Sequence, residues 1–303
     1  HIGVPLTLLS TPLDAEFLVI EMGANHIGEI DYLCKIANPD YGIITNIGKA
    51  HLEGFGSPEG VFIGKTELYR HVITFGKGLF VNADDSLLMS ATNNSIVCSY
   101  GSAKADVFGE VVNLNPFLDV FCKVNNHEML IKTNLFGSYN SSNVLAAVAI
   151  GYYFGIPLDD INSAISSYLP NNNRSQTIKS KNNNHIILDA YNANPSSMKL
   201  ALQDFAKDSL QDKLVIIGSM LEMGKYSKDE HLAILNLLKD LKIDKVLLFG
   251  KEFYECKSQF SEFYFFIDQQ DIVDFLVKSN FSNLYIIIKG SRGVALEKLV
   301  DYL

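Results

Sequence analysis

The chain predicts an α/β protein of two domains: a central parallel sheet with a small antiparallel extension, then a doubly wound, Rossmann-like sheet. Three observations carry that expectation. Short β-prone apolar runs alternate with helical patterns through most of the 303 residues, the pattern of βα units feeding a parallel sheet. Between 96 and 136 the pattern changes to short alternating runs around an Asn-Asn turn, which reads as antiparallel hairpins. Pro170-Asn-Asn-Asn-Arg-Ser-Gln176 and Lys181-Asn-Asn-Asn184 then interrupt the alternation with the turn-rich composition of a domain boundary. The expected domains are 1–172 and 173–303, each large enough for its own core.

Taken in order, the apolar run 17–20 reads as a buried strand, 30–37 as a helix, and 41–45 as the next strand. A helix over 59–70, a strand at 79–82 and a turn at 83–85 follow. Val107 to Val112 and Asp119 to Val124 read as antiparallel strands, with a hairpin turn at 125–127. The strongly apolar 143–154 and then 158–168 read as helices. In the second domain the strands are 186–189, 214–218, 245–249, 263–266 and 284–288. The helices between and after them are 196–208, 229–241, 270–279 and 293–302. No repeat of fixed period is present.

Hydrophobic residues make up 48% of the chain, with 19 Phe and 14 Tyr, so it packs as a globular protein. A net charge of −9 lacks the basic footprint of a nucleic-acid binder. Cys34, Cys98, Cys122 and Cys256 have no CxxC spacing, which favours reduced thiols in a cytoplasmic setting. The longest apolar runs, such as 284–288, are strand-length and far short of a membrane span. The first residues show no basic region followed by an apolar core, so no signal peptide and no membrane partner are expected.

Two stretches carry most of the chemical information. Glu21-Met-Gly-Ala-Asn-His26 follows the expected strand 17–20, and Thr45-Asn-Ile-Gly-Lys-Ala-His-Leu-Glu-Gly-Phe-Gly-Ser57 follows the strand at 41–45. Each delivers polar side chains to the carboxyl end of a sheet strand, where open α/β sheets bind ligands. A carboxylate, an asparagine and a histidine there suggest a cation or phosphate site. Taken singly, Glu21 also suits a helix cap or dipole partner, His51 a loop histidine, and Lys65 a solvated helix lysine.

These stretches resemble the Mur ligase family, and the resemblance runs the length of the chain. Its further segments are His1-Ile-Gly-Val-Pro-Leu-Thr-Leu-Leu9, Gly137-Ser-Tyr-Asn-Ser-Ser-Asn143, Asp189-Ala-Tyr-Asn-Ala-Asn-Pro-Ser-Ser-Met198, Met220-Leu-Glu-Met-Gly224 with His231, and Lys289-Gly-Ser-Arg292. It is strongest to the members that add D-alanyl-D-alanine to UDP-MurNAc-tripeptide in peptidoglycan precursor synthesis. The resemblance implies that ATP phosphorylates the peptide carboxylate and that the dipeptide amine displaces phosphate from the acyl phosphate. Such chemistry is charge management, and the resemblance implies magnesium and cationic side chains to clamp the oxygens.

By the same resemblance, Glu21 and His51 hold magnesium, and Lys65 is the lysine that the family carbamylates, becoming an oxygen ligand. Thr45 and Asn46 line the same edge and touch substrate. Asn140 and Asn143 face the nucleotide, and either also suits an N-cap for the helix over 143–154. Tyr139 stands where many relatives carry histidine. Arg174 matches an arginine at the domain boundary that reaches ATP phosphates. Asp189, Tyr191 and Asn192 are implied to contact ribose and base. Lys289, Ser291 and Arg292 are implied to grip the dipeptide carboxylate, a planar anion suited to guanidinium, while Ser291 also suits a cap for 293–302. Glu222 and His231 match family positions without an implied role.

A glycine-rich phosphate loop and a uridine-nucleotide domain, which the family carries upstream of the residues matching His1, are not within these 303 residues. The chain by itself is therefore expected to lack ligase activity and to expose an edge of its first sheet. A monomer is expected. Two other readings remain at this level: a related amide ligase of the folylpolyglutamate or cyanophycin type, and a non-catalytic binding module on the same scaffold.

Overall fold

The computed structural model describes residues 2–49, 51–207, 212–243 and 245–303. His1, Ala50 in the second motif, and Asp208 at the end of the expected helix 196–208 lie outside the described residues. Two compact units divide the chain. The first takes His1–Glu110, Phe121–Leu130 and Ser142–Ile165, and the second Val111–Val120, Ile131–Ser141 and Ser166–Leu303.

The first unit opens with α1 (Gly3–Ser10), α2 (Glu29–Ala37), β1 (Tyr41–Ile43) and the short α3 (Leu52–Phe55). Next come α4 (Pro58–Lys65), α5 (Glu67–Phe75), β2 (Gly78–Asn82), α6 (Ser86–Ser90) and β3 (Ile96–Gly101). β1, β2 and β3 pair in parallel, with Gly42 opposite Leu79 and Val81 opposite Ser99. Leu79, Phe80 and Val81 are all buried, as a parallel strand covered on both faces requires. Ile44, Tyr69, Val72, Leu79, Val81 and Leu88 form one core cluster, and Val4, Ile30, Leu33 and Cys34 another.

The sheet continues in chain order through β4 (Val107–Asn113), β5 (Asp119–Val124) and β6 (His127–Lys132). Only Asn125 and Asn126 join β5 to β6, a link short enough only for an antiparallel hairpin. Asn125 takes the positive φ of 52° that such turns use. The junction with the parallel part departs from expectation, because β3 and β4 pair in parallel at Tyr100–Val107 and Gly101–Phe108. The helices α7 (Ser141–Tyr153) and α8 (Leu158–Ser167) follow.

Three further expectations for this part are corrected. Residues 17–20 are not a strand, since no described strand pairs with them, and Phe17, Leu18 and Val19 are exposed. The Phe17 ring packs edge-on against Phe154 instead, 4.9 Å between centroids. The single helix over 59–70 is two, α4 and α5, broken at Thr66. Nor is Glu21 a helix cap: the buried Glu67 serves the α2 N-terminus, accepting from the backbone N–H of Gly28 (2.6 Å) and Asp31 (2.9 Å).

The second unit holds a six-stranded sheet in the order β11-β10-β9-β12-β8-β7. Its strands are β7 (Gln176–Lys179), β8 (His185–Asp189), β9 (Lys213–Gly218), β10 (Lys245–Phe249), β11 (Tyr264–Phe266) and β12 (Tyr285–Lys289). The helices α9 (Pro195–Lys207), α10 (Ser227–Asp240), α11 (Lys251–Tyr254) and α12 (Gln269–Ser279) connect them. All the strands run parallel except β7, which pairs antiparallel with β8. β12, the last strand in sequence, lies between β8 and β9. That insertion makes a switch in strand order, and the crevice at the carboxyl ends of these strands is where such sheets bind ligands.

Two parts of this unit differ from expectation. Between the two turn-rich stretches 170–176 and 181–184 lies a strand that was not expected, β7, which takes in Gln176. Asn184 is fully buried, donating to the carbonyls of Phe281 and Leu303 and accepting from Leu284 N–H. Residues 293–302 are not an α-helix but two 3-10 turns, Arg292–Val294 and Leu296–Tyr302, hinged at Ala295 with φ 55°. Leu296 and Leu299, three residues apart, bury together, which a three-residue turn allows. Among the described residues no helix is long and apolar enough to cross a membrane.

Candidate functional site

In the first unit the structure brings Lys65 to the carboxyl end of β1. Ser57 caps α4 by accepting from Gly60 N–H, and Pro58 occupies the first helical turn. Lys65 ends that helix, and its Nζ donates to the carbonyl of Asn46 at 2.9 Å. The lysine is half-buried, and loss of hydration pushes its ammonium below the usual lysine range. Thr45 and Asn46 are exposed in the loop that follows β1. His51 sits at the N-terminus of α3 with φ 53°, a backbone conformation that costs a non-glycine residue free energy and recurs at ligand sites.

Glu21 is exposed in the extended segment that leads to α2. That segment runs close to α3, since a Cβ on Gly54 would collide with the carbonyl of Asn25. Glu29 holds the intervening turn by accepting from the N–H groups of Asn25 (2.7 Å) and His26 (3.1 Å). Among the described residues no group of three or more His, Cys, Asp or Glu side chains converges as a ready-made metal cage. The set Glu21, His51 and Lys65 offers one carboxylate and one imidazole. It gains further oxygens only if the Lys65 amine is carbamylated, and the direction of its pKa shift favours the neutral amine that this modification requires.

The second unit assembles more of the expected residues. Asp189 ends β8 and Lys289 ends β12, and the parallel register sets them side by side. Lys289 Nζ donates to Asp189 Oδ2 at 2.5 Å, with both residues buried, and also lies 3.4 Å from the carbonyl of Asn192. Asp189 Oδ1 accepts from Ser175 N–H at 3.2 Å. Ser175 Oγ is 2.9 Å from the hydroxyl of Tyr139, which is 3.5 Å from Asp189 Oδ2. Burial and the neighbouring carboxylate hold that phenol well above its ordinary pKa, so it stays protonated. As placed, Lys289 is turned onto Asp189, not toward an external anion.

Two arginines frame the next residue. The Arg174 guanidinium lies 3.8 Å from the centroid of the Tyr191 ring, and that of Arg292 lies 5.4 Å from the same centroid. Asn192 is exposed beside them. Asn194 caps α9, accepting from Ser197 N–H at 2.9 Å, with Pro195 at the first helical position. Ser291 does not cap the following turn; its Oγ accepts from Leu221 N–H at 3.0 Å. Asn140 anchors its own turn by donating to the Phe136 carbonyl at 2.8 Å, and Asn143 lies inside α7, not at its cap.

Sequence reasoning missed Asp204 and left His231 without a role, and both hold this arrangement. Asp204 is buried on α9 and accepts from the N–H (2.7 Å) and hydroxyl (2.6 Å) of Ser138, while Lys207 Nζ donates to its other oxygen at 2.8 Å. An acidic residue among the buried Ala201, Leu202 and Phe205 was the available signal. His231 is fully buried: its Nε2 accepts from Met220 N–H at 3.0 Å, and its Nδ1 donates to the Ser227 carbonyl at 2.7 Å. That pattern assigns a neutral imidazole, and burial pushes its pKa down. His231 thus fixes the turn in which Glu222 takes φ 61°.

Comparison with known proteins identifies the family. A family model described as the Mur ligase middle domain matches residues 1–151, and one described as the Mur ligase, glutamate ligase domain matches 173–292. The UDP-N-acetylmuramoyl-tripeptide–D-alanyl-D-alanine ligase of Bacillus subtilis (strain 168) is 31% identical over 99% of this chain and 67% of its own length. The enzyme of the same name from Escherichia coli (strain K12) is 30% identical over 99% of the chain and 68% of its own. A crystal structure of MurF from Acinetobacter baumannii superposes with a TM-score of 0.88 at 30% identity, covering 98% of this chain and 66% of that one. A MurF ligase from Thermotoga maritima in complex with ADP shares the fold, with a TM-score of 0.86 at 24% identity over 99% of this chain and 70% of that one. The chain spans about two thirds of the length of these relatives.

Proposed function

The chain belongs to the Mur ligase family, and on that premise we propose that it carries two domains of an ATP-dependent ligase joining D-alanyl-D-alanine to UDP-MurNAc-tripeptide. The observation that carries this reading is Lys65. A half-buried lysine, its ammonium held below the usual lysine range by loss of hydration, stands at the carboxyl end of β1 with its Nζ donating to the carbonyl of Asn46 at 2.9 Å. A neutral amine can capture carbon dioxide, and the carbamate so formed presents oxygens to a hard cation. Magnesium, held by Glu21, His51 and carbamylated Lys65, would neutralise phosphate oxygens. In the same unit Thr45 and Asn46 are exposed to meet substrate, and Asn143 is assigned to the nucleotide.

In the second unit the chain's own groups divide the work. Arg174 and Arg292 offer guanidiniums to anionic oxygens, Arg174 to nucleotide phosphate and Arg292, with Ser291, to the dipeptide carboxylate. Tyr191 and Asn192 present a ring and an amide to the nucleoside, and Asn140 acts with them. Asp189 and Lys289 neutralise each other and brace the loop that carries Tyr191 and Asn192. Drawing the D-alanyl-D-alanine amine onto an acyl phosphate needs orientation and charge neutralisation more than covalent participation by the protein. The product is the nucleotide-linked pentapeptide, and its precursors place the reaction in cell-wall synthesis.

The test is a product assay on the protein as encoded in its native gene. Given ATP, magnesium, UDP-MurNAc-tripeptide and D-alanyl-D-alanine, it should form the pentapeptide by mass spectrometry and release one phosphate per bond. Lys65→Ala should lower turnover by at least about a hundredfold, the scale on which loss of a key electrostatic group acts. Product formation with glutamate in place of the dipeptide would favour a different ligase, and no dependence on Lys65 would favour a binding module.

A further inference from the structure

The roles above give Arg174 and Arg292 to different anions, and the placement of both guanidiniums on one ring moves Arg292 from the dipeptide carboxylate to the anion that Arg174 meets. The Arg174 guanidinium carbon lies over the Tyr191 ring, 3.8 Å from its centroid, and that of Arg292 lies 5.4 Å from the same centroid. The two groups cannot be further apart than those distances laid end to end. Among the described residues neither arginine forms an ion pair with a carboxylate, and both are exposed. Two like charges brought this close repel unless an anion or a ring face offsets them. The negative face of a tyrosine ring does so and favours arginine, whose planar guanidinium stacks flat.

The backbone on either side of the ring is held by the sheet and its strand-end bonds. Tyr191 follows Ala190, which is buried against the sheet, and precedes Asn192, whose carbonyl lies 3.4 Å from Lys289 Nζ. Behind it the Asp189 carboxylate is engaged by Lys289, and through Ser175 N–H by the residue next to Arg174. The loop carrying Arg174 and the segment after β8 carrying Tyr191 are therefore tied one residue after Arg174 and two residues before Tyr191. The strand end carrying Arg292 is tied to them by Lys289, three residues earlier.

We infer that Tyr191 is a positioning residue whose ring gathers Arg174 and Arg292 into one two-guanidinium receptor for a polyphosphate. This rests on the ligase reading for the identity of the anion, a nucleotide phosphate chain, but not for the existence of the receptor. The arginines then act as a pair prepared before the anion arrives, so that less side-chain freedom is lost on binding.

The experiment is calorimetric titration of the 303-residue chain with inorganic tripolyphosphate at low salt, which needs neither nucleotide nor turnover. Tyr191→Phe keeps the ring and should bind within about twofold of the parent. Tyr191→Leu should bind about tenfold more weakly, the loss of one charge-assisted contact, with its melting temperature recorded to show that it is folded. Arg174→Gln and Arg292→Gln should be non-additive in the parent and additive in the Tyr191→Leu background, because only the ring couples them. Parent-like binding by Tyr191→Leu, equal weakening by Tyr191→Phe, or additivity of the two arginines in the parent would overturn the inference, as would no binding by the parent. A protein that passes these titrations but makes no pentapeptide would overturn the ligase reading and leave the receptor standing.

Discussion

Lys289 and Asp189, one hundred residues apart in sequence, form a buried ion pair at 2.5 Å across the adjoining ends of β12 and β8. Taking two charges out of water is costly, and mutual attraction together with further hydrogen bonds must offset that cost. Here Asp189 also accepts from Ser175 N–H, and Lys289 Nζ faces the Asn192 carbonyl.

Breaking this pair from one side leaves the other charge buried. Lys289→Met and Asp189→Asn are each expected to destabilise the second unit by about 3–5 kcal/mol, read from urea unfolding. The double variant Lys289→Met/Asp189→Leu should recover most of that loss. A single variant that costs less than about 1 kcal/mol would show that the pair is not structural in this sense.

Asn184 shows that a polar residue in a turn-rich stretch can be a core residue. Its amide makes three hydrogen bonds, to Phe281, Leu303 and Leu284. Asn184→Ala should cost about 2–4 kcal/mol, because three buried backbone groups lose their partner at once. Retained stability with intact near-ultraviolet dichroism would contradict that account.

His231 makes stability depend on acid. Burial holds its imidazole below the usual value, so the folded protein resists a proton that the unfolded chain accepts near pH ~6.5. The stabilisation is present above that pH and is lost as pH falls through the lower folded value. His231→Phe should cost about 1–3 kcal/mol at pH 8 by leaving Met220 N–H without an acceptor. Its unfolding free energy should fall less steeply between pH 7 and 5 than the parent's.

The cysteines should be silent in the native protein. All four are free and buried. Burial pushes the thiols of Cys34 and Cys98 up to about 11 and that of Cys122 to about 12. Their contribution to stability is full below the unfolded value near ~8.5 and declines as pH rises through the folded values. Ellman's reagent at pH 8 should therefore titrate none of these three until denaturant is added. Rapid labelling of Cys34 in the folded state would show that the α1–α2 cluster opens readily.

Much of this arrangement was legible in the sequence because βα alternation has a local cause. Val215, Ile216 and Ile217 form one continuous apolar run, fully buried in β9, and Leu247 and Leu248 do the same in β10. A strand covered on both faces has to be apolar throughout. The run 17–20 has the same composition and yet no partner strand among the described residues, because composition sets a preference while a strand needs a neighbour to bond to. Likewise 293–302 has helical spacing, but Ala295 adopts a left-handed conformation and breaks the helix there.

The residues of the candidate site divide in the same way. The sequence by itself determined which side chains stand at strand ends, since Asp189, Lys289 and Thr45 each close or follow an apolar run of readable length. It did not determine the caps: those expected at Glu21, Asn143 and Ser291 are absent, while Ser57 with Pro58 and Asn194 with Pro195, which act within their own helical turns, were not singled out. Only the tertiary structure decided which ends meet. Lys289 reaches Asp189 because β12 inserts between β8 and β9. Tyr191 receives two arginines because one precedes β7 and the other follows β12. Local patterns report a few successive residues, whereas these contacts depend on the order in which distant strands pair, a property of the whole sheet.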